Sequence, residues 1–204
     1  MKEVLITAGA TRNPIDAIRY LSAHATGTTG TTIARAIASR GGAPWMLGSA
    51  EARLRAPDIA GEEYFGTRDL MGRMQAWIVA HPQGAVVHSA AVGDYELAEP
   101  LKEKIPSGRP SITITLVPAP KIADQVRGWG LVGPFVTFKA APPGTTDEDL
   151  VQIASRQRER VRCDLVFANV IGHTDRGVWL VGEDAVRFER RDDAVEALIR
   201  WLVP

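Results

Sequence analysis

Short, uninterrupted apolar runs alternate along this chain with stretches of helical period, and few folds satisfy that pattern. Val4-Leu5-Ile6, Ala85-Val86-Val87, Phe135-Val136-Thr137-Phe138 and Leu165-Val166-Phe167 are too short for helices. They lack the polar alternation of a half-exposed strand, so they read as strands covered on both faces. Between them, Ile33, Ala34, Ile37 and Ala38 form one helical face that Gly41-Gly42 closes, and Leu70, Met71, Met74, Trp77 and Ile78 line a second that stops before Pro82. Thr146 followed by Asp149 is a capping-box pattern, and Arg156, Arg158 and Arg160 lie toward the end of that helix, where cations suit the macrodipole. Those arginines fit dipole and solvation or a phosphate role equally well. Pro120 stands at a first helical position ahead of Ile122, Ala123 and Val126. In the last helix Asp192 is the expected cap, with Ala194, Val195, Leu198, Ile199 and Leu202 buried.

Two further segments have the period of exposed strands. Ile112-Thr113-Ile114-Thr115-Leu116 alternates strictly, and residues 178–181 and 186–188 form a hairpin across residues 182–185. Residues 96–110, rich in Pro and charge, are expected as a long mobile loop. The expected fold is α/β: a Rossmann-like three-layer sandwich with a mostly parallel central sheet and a small antiparallel hairpin extension, residues 1–204 forming one domain.

Composition narrows the partners. Twenty-four Lys+Arg balance twenty-four Asp+Glu among 204 residues, so no bulk charge draws the chain to nucleic acid or to a membrane. A single cysteine, Cys163, rules out an intrachain disulfide and a multi-thiolate metal site, and no protein-held metal is expected. The apolar run at the start is too short for a signal peptide, and no run approaches the ~18 residues of a membrane span. A cytoplasmic protein acting on small molecules is the expectation.

Doubly wound sheets bind ligands beyond the carboxyl ends of their strands, so loops following strands are the place to look. Thr26-Gly27-Thr28-Thr29-Gly30-Thr31 opens a helix with small and hydroxyl-bearing residues, which lets backbone N–H groups approach an anion. It lacks the Gly-Lys-Ser/Thr of a P-loop, and its glycines lie too far from the first strand for a dinucleotide fingerprint. An ordinary capped loop explains it too. Short-chain dehydrogenase chemistry needs a Tyr with a Lys four residues later; Tyr20, Tyr64 and Tyr95 are followed at that offset by His24, Arg68 and Glu99. An NAD(P)-dependent oxidoreductase therefore ranks third among the readings.

Thr7-Ala8-Gly9-Ala10-Thr11-Arg12-Asn13-Pro14-Ile15-Asp16, Arg19-Tyr20-Leu21-Ser22 and the Thr/Gly loop together resemble the phosphopantothenoylcysteine synthetases, also called phosphopantothenate–cysteine ligases. Ser89-Ala90-Ala91-Val92-Gly93-Asp94-Tyr95 looks like their nucleotide-base loop, and Lys104-Ile105-Pro106-Ser107 like their lysine loop. Val117-Pro118-Ala119-Pro120-Lys121-Ile122, Phe138-Lys139 and Asp164-Leu165-Val166-Phe167-Ala168-Asn169 complete the order. The resemblance covers nearly the whole chain and is closest to the stand-alone form of the ligase.

It implies a two-step reaction with CTP and Mg²⁺ in coenzyme A biosynthesis. The acid's carboxylate attacks the α-phosphate to give an acyl-cytidylate and pyrophosphate, and cysteine then displaces CMP to form an amide. It assigns Lys104 a catalytic role, and nucleotide binding to Gly9, Thr26, Gly27, Thr28, Gly30, Ala90, Ala91, Asp94 and Phe138. Arg19, His24 and Asn169 would meet the other substrates, and a homodimer is implied in which a loop reaches the partner's site. Plainer readings stay open: Lys104 as a solvated lysine, Phe138 as core, Asp94 and Asn169 as turn or strand-end residues. Arg19 could simply pair with Asp16, and His24 could solvate a loop tip. Ala23 departs from the family, which carries Asn there for handling the acyl-cytidylate and for the cysteine step. Val170 and Thr137 replace its frequent Asp and Gly. A divergent ligase for another acid or amine, or a non-catalytic nucleotide-binding module, is the alternative.

Overall fold

The structure is a computed structural model that describes residues 2–108, 110–172 and 177–203. In chain order the elements are β1 (Glu3–Ala8), β2 (Arg12–Pro14), β3 (Tyr20–Ser22), α1 (Thr28–Ser39), β4 (Ala43–Gly48), α2 (Ala50–Arg55), β5 (Gly61–Glu63), α3 (Thr67–Ala80) and β6 (Ala85–His88). Then follow β7 (Tyr95–Leu97), β8 (Leu116–Pro118), α4 (Ile122–Gln125), β9 (Phe135–Ala141), α5 (Asp147–Val161), β10 (Leu165–Val170), β11 (Val178–Val181), β12 (Ala185–Phe188) and α6 (Arg191–Leu202). The main sheet has the order β12-β11-β10-β9-β6-β1-β4-β5. Pairing is parallel from β10 through β5 and antiparallel only where β11 and β12 extend the edge. This is the expected Rossmann-like three-layer α/β sandwich with its hairpin extension.

The apolar runs are continuous because both faces of the sheet are covered. Along β1, Val4, Ile6 and Ala8 enter one core with Ile33 and Ile37 of α1 and Leu198 of α6, while Leu5 enters the other with Met74 of α3 and Leu150 of α5. Thr146 caps α5 as the spacing predicts: its Oγ1 accepts from the Asp149 N–H at 3.1 Å and donates to Asp149 Oδ2 at 3.0 Å, a hydroxyl-to-carboxylate bond in place of the box's return bond to the cap's own N–H. The order of strand addition reverses between β1 and β6: β4 and β5 are added on one side of β1, whereas β6, β9 and β10 are added on the other. The carboxyl ends of those two strands are therefore the switch point.

Four expectations are corrected. The alternating run 112–116 is a strand only from Leu116, where Leu116–Pro118 pairs antiparallel with Tyr95–Leu97. Its partner β7 is three residues long and is soon followed by Pro100, which offers no N–H to a ladder, so Ile112 and Ile114 stay exposed. Residues 96–110 begin inside β7 and are fastened by Leu101 N–H to Ile15 O at 3.0 Å and Ile105 N–H to Asp16 Oδ2 at 3.0 Å; Arg109 lies outside the described residues. Lys121 precedes α4 where Pro120 was expected to open it. Arg190 occupies the cap position of α6, and Asp192 sits in the first turn, where it meets the helix dipole without capping a backbone group.

Candidate functional site

Beyond β1 the chain turns at Gly9, makes the β2–β3 hairpin and returns to open α1. Gly27 precedes the helix at φ 80°, in the left-handed region, and a Cβ there would lie 2.6 Å from Ala52 Cβ and 2.9 Å from the Gly9 nitrogen. A Cβ on Gly30 would lie 2.6 Å from Ala8 Cβ and 2.7 Å from Ser89 Oγ. These glycines let the first turn of α1 rest against the ends of β1 and β6. No side chain caps α1 and its first turn holds no acidic residue, so its positive end is uncompensated. A hollow of about 290 Å³ adjoins that turn, lined by Gly9, His24, Thr26, Gly27, Thr28, Gly30 and Ser89 among others. Thr26 Oγ1 and Thr28 Oγ1 are hydrogen-bonded at 2.9 Å.

A cleft of about 480 Å³ continues from it through Ala25, Thr29 and Ser89. Its walls are residues 88–94 after β6, residues 137–140 of β9, Asn169 of β10, Gln157 and Arg160 of α5, residues 121–124 and Arg191 of α6. Buried hydroxyls hold the loop after β6 in place. Thr7 Oγ1 accepts from the Ala90 N–H at 3.0 Å and lies 2.9 Å from His88 Nδ1, while Ser89 Oγ donates to Thr7 O at 2.6 Å. Thr11 Oγ1 accepts from the Gly93 N–H at 2.9 Å and from Thr67 Oγ1 at 3.1 Å. Burial pulls the His88 pKa down to about 4, so the ring is neutral at physiological pH.

Four cations reach this cleft, and they are not equivalent. Lys121 pairs with Asp94 and Arg160 with Asp124. Among the described residues Lys139 and Arg191 have no carboxylate partner, which leaves the cleft with surplus positive charge. Arg191 donates to Thr29 Oγ1 at 2.9 Å and lies 4.9 Å above the Phe167 ring, which in turn stacks on Phe138 at 4.7 Å. Burial pulls the Arg191 pKa below its usual range. Among the described residues no group of three or more His, Cys, Asp or Glu side chains could hold a metal ion.

The residues singled out in the sequence fall into three places. Ala90, Ala91, Asp94, Phe138 and Asn169 line the cleft, and Gly9, His24, Thr26, Gly27, Thr28 and Gly30 line the adjoining hollow. Lys104 and Arg19 lie elsewhere. Lys104 lines a separate hollow with Ile105, Ile112 and Ile114. Arg19 pairs with the shielded carboxylate of Asp16 at 2.5 Å, as its plainer reading had it. Asp16 also accepts from the N–H groups of Ile18, Arg19 and Ile105, which hold its carboxyl well below the usual carboxylate range. Phe138 is both wall and core edge, packed against one hydrophobic cluster while facing the cleft. Arg191 and Gln157 were not singled out, and Lys139 was noted only as part of the Phe138-Lys139 motif, with no site role. Only Arg191 left a signal, a cation at a helix N-terminus, where the dipole opposes it.

A doubly wound α/β sheet with a cleft at its switch point, lined by four cations and two carboxylates, defines the class: a Rossmann-like protein. More narrowly, the chain belongs to the family described as the DNA/pantothenate metabolism flavoprotein C-terminal domain, whose model matches residues 1–199. It is 32% identical over 188 residues to the coenzyme A biosynthesis bifunctional protein CoaBC of Thermococcus kodakarensis, covering 90% of this chain and 45% of that one. The chain thus spans about half the length of the curated relatives it matches. The crystal structure of the DNA/pantothenate metabolism flavoprotein from Streptococcus pneumoniae superposes with a TM-score of 0.87 at 22% identity, over 99% of this chain and 98% of that one. A Cab2 mutant in complex with phosphopantothenate-cysteine superposes with a TM-score of 0.76 at 16% identity, over 99% and 87%. At such identities these two likenesses carry the fold.

Proposed function

We propose that this chain is a CTP-dependent acid–amino acid ligase that joins phosphopantothenate to L-cysteine in coenzyme A biosynthesis. The observation that carries this reading is the cleft itself, where an uncapped helix N-terminus and two cations without carboxylate partners meet at the switch point. Membership of the family and the names of its relatives give the substrates. In this reading the triphosphate lies along the first turn of α1 beside Thr26 and Thr28. Asp94, released from Lys121, accepts from the cytosine amino group. Phe138 packs against the nucleoside, and Asn169 donates to substrate. The acid's carboxylate attacks the α-phosphate, pyrophosphate leaves, and the cysteine amine then displaces CMP to form the amide. Mg²⁺, if carried in with the triphosphate, would offset its negative charge, with no cluster of carboxylate, histidine or cysteine side chains among the described residues to hold the ion.

Lys104 lines its own hollow, apart from the cleft, and a homodimer reconciles this with a catalytic role by bringing the partner's lysine loop to each cleft. A cytoplasmic homodimer is therefore part of the proposal. The second reading, a module that binds nucleotide and stops short of ligation, is favoured by Ala23. That residue is exposed on the segment entering α1 and offers neither donor nor acceptor from its side chain. Pyrophosphate release from CTP, Mg²⁺ and phosphopantothenate tests the first step, and CMP release on adding cysteine tests the second. The ligase reading expects both. Pyrophosphate without amide supports a lesion at Ala23, and neither product contradicts catalysis.

A further inference from the structure

Arg191 occupies the first helical position of α6, where the helix dipole opposes its charge. Asp192 and Asp193 of the same turn satisfy the dipole, yet among the described residues neither pairs with the guanidinium. Its direct contacts are one neutral hydroxyl, Thr29 Oγ1 at 2.9 Å, and the Phe167 ring, whose centroid is 4.9 Å away, while the Asp192 carboxylate acts on its charge through space without an ion-pair contact. A guanidinium carries five N–H donors, and this one is partly stripped of water, so most of its hydrogen-bonding capacity is uncommitted on the cleft wall. Thr29, the residue it touches, lies in the first turn of α1, whose N–H groups have no side-chain cap. Guanidinium and helix end thus converge where the hollow joins the cleft, since Thr29 lines both. With the guanidinium held over the Phe167 ring and one N–H given to Thr29, the remaining N–H groups are available to an oxyanion.

Resting on the nucleotide reading of this site, we propose that Arg191 is its phosphate-selecting residue, binding the anionic group seated at the α1 N-terminus so that the cleft prefers nucleoside phosphates to nucleosides. The contact is to ligand oxygens, so Arg191 is a binding residue and its loss removes the phosphate-dependent part of affinity alone.

Calorimetric titration of Mg²⁺–CTP and of cytidine into the wild type, Arg191→Met, Arg191→Lys and Arg190→Ala tests this. Arg191→Met keeps apolar bulk over Phe167 and is expected to weaken CTP by about tenfold or more, the factor one charge-assisted bond is worth, with cytidine unchanged. Arg191→Lys, which keeps the charge and loses the fork, falls between Met and wild type. Arg190 is 74% exposed and outside the cleft, so Arg190→Ala leaves both affinities as they were and controls for bulk charge. Unchanged CTP affinity in Arg191→Met overturns the assignment, and so does an equal loss of CTP and cytidine, which would make the residue a packing element. Should Arg191→Met not fold, Arg191→Lys decides by the same two criteria. A wild type that binds neither ligand overturns the nucleotide reading, a result distinct from wild-type binding that ignores Arg191.

Discussion

The cleft at the strand ends and the outlying arm formed by β2, β3, β7, β8 and the segment between β7 and β8 are held by different physics. The cleft floor is wholly interior: Thr7 and Phe167 are 0% exposed, buried hydroxyls pin its loops, and hydrophobic cores lie on both faces of the sheet below it. The arm consists of three-residue strands in two separate two-stranded sheets, with Tyr20, Tyr95, Ile112 and Leu116 exposed and one shielded carboxylate, Asp16, as a hub. The cleft is thus framed by deeply packed elements, while Lys104 sits on a thinly packed arm that a few hydrogen bonds to Asp16 and Ile15 fasten.

Deepest in the packed part, Phe167→Ala removes the ring under both Phe138 and Arg191. It is expected to cost about 3–5 kcal/mol in chemical unfolding and to weaken nucleotide binding with it. Acid attacks the same region next. The unfolded chain protonates His88 near pH 6.5, whereas the native ring resists until about 4, so stability falls as pH drops through that window and levels off below it. The loss approaches about 3 kcal/mol, and denaturant midpoints across pH 7 to 4 measure it. His88→Asn, with no group to titrate, flattens that slope.

The arm answers differently. Lys104→Ala is expected to lower turnover by about a hundredfold while melting temperature and CTP affinity stay near wild type. Mixing it with Asp94→Ala restores activity if one site draws on two chains. Asp16→Asn weakens the bonds that fasten the lysine loop and is expected to reduce turnover about tenfold at unchanged CTP affinity. The smallest effect belongs to Ile114→Ser, which alters an exposed side chain and shifts unfolding by less than about 0.5 kcal/mol.

The same contrast explains what could be read from the sequence. The buried strands of the sheet announced themselves because covering both faces forces continuous apolar runs such as Val4-Leu5-Ile6. Strands of three residues have no period to detect, so β2, β3 and β7 left no trace. The run 112–116 misled because alternation reports an exposed edge without reporting whether a partner strand exists. Loops at the ends of buried strands were legible as candidate sites through the switch-point rule. Arg191 was legible at most as a cation near a helix start, since its approach to Thr29 depends on α6 packing beside α1 across 162 positions of chain. Asp16 and Ile105 meet in the same non-local way, which is why Lys104 was placed with the nucleotide on motif order alone.

In the proposed function the cleft beyond β1, β6, β9 and β10 receives a cytidine nucleotide with its phosphates at the start of α1. A crystal structure of the protein grown with CTP and Mg²⁺ tests it most directly. Phosphate density is expected against Thr28, Thr29 and Arg191, with a pyrimidine ring beside Asp94. An empty cleft at saturating CTP, or one that takes a redox dinucleotide in its place, would contradict it.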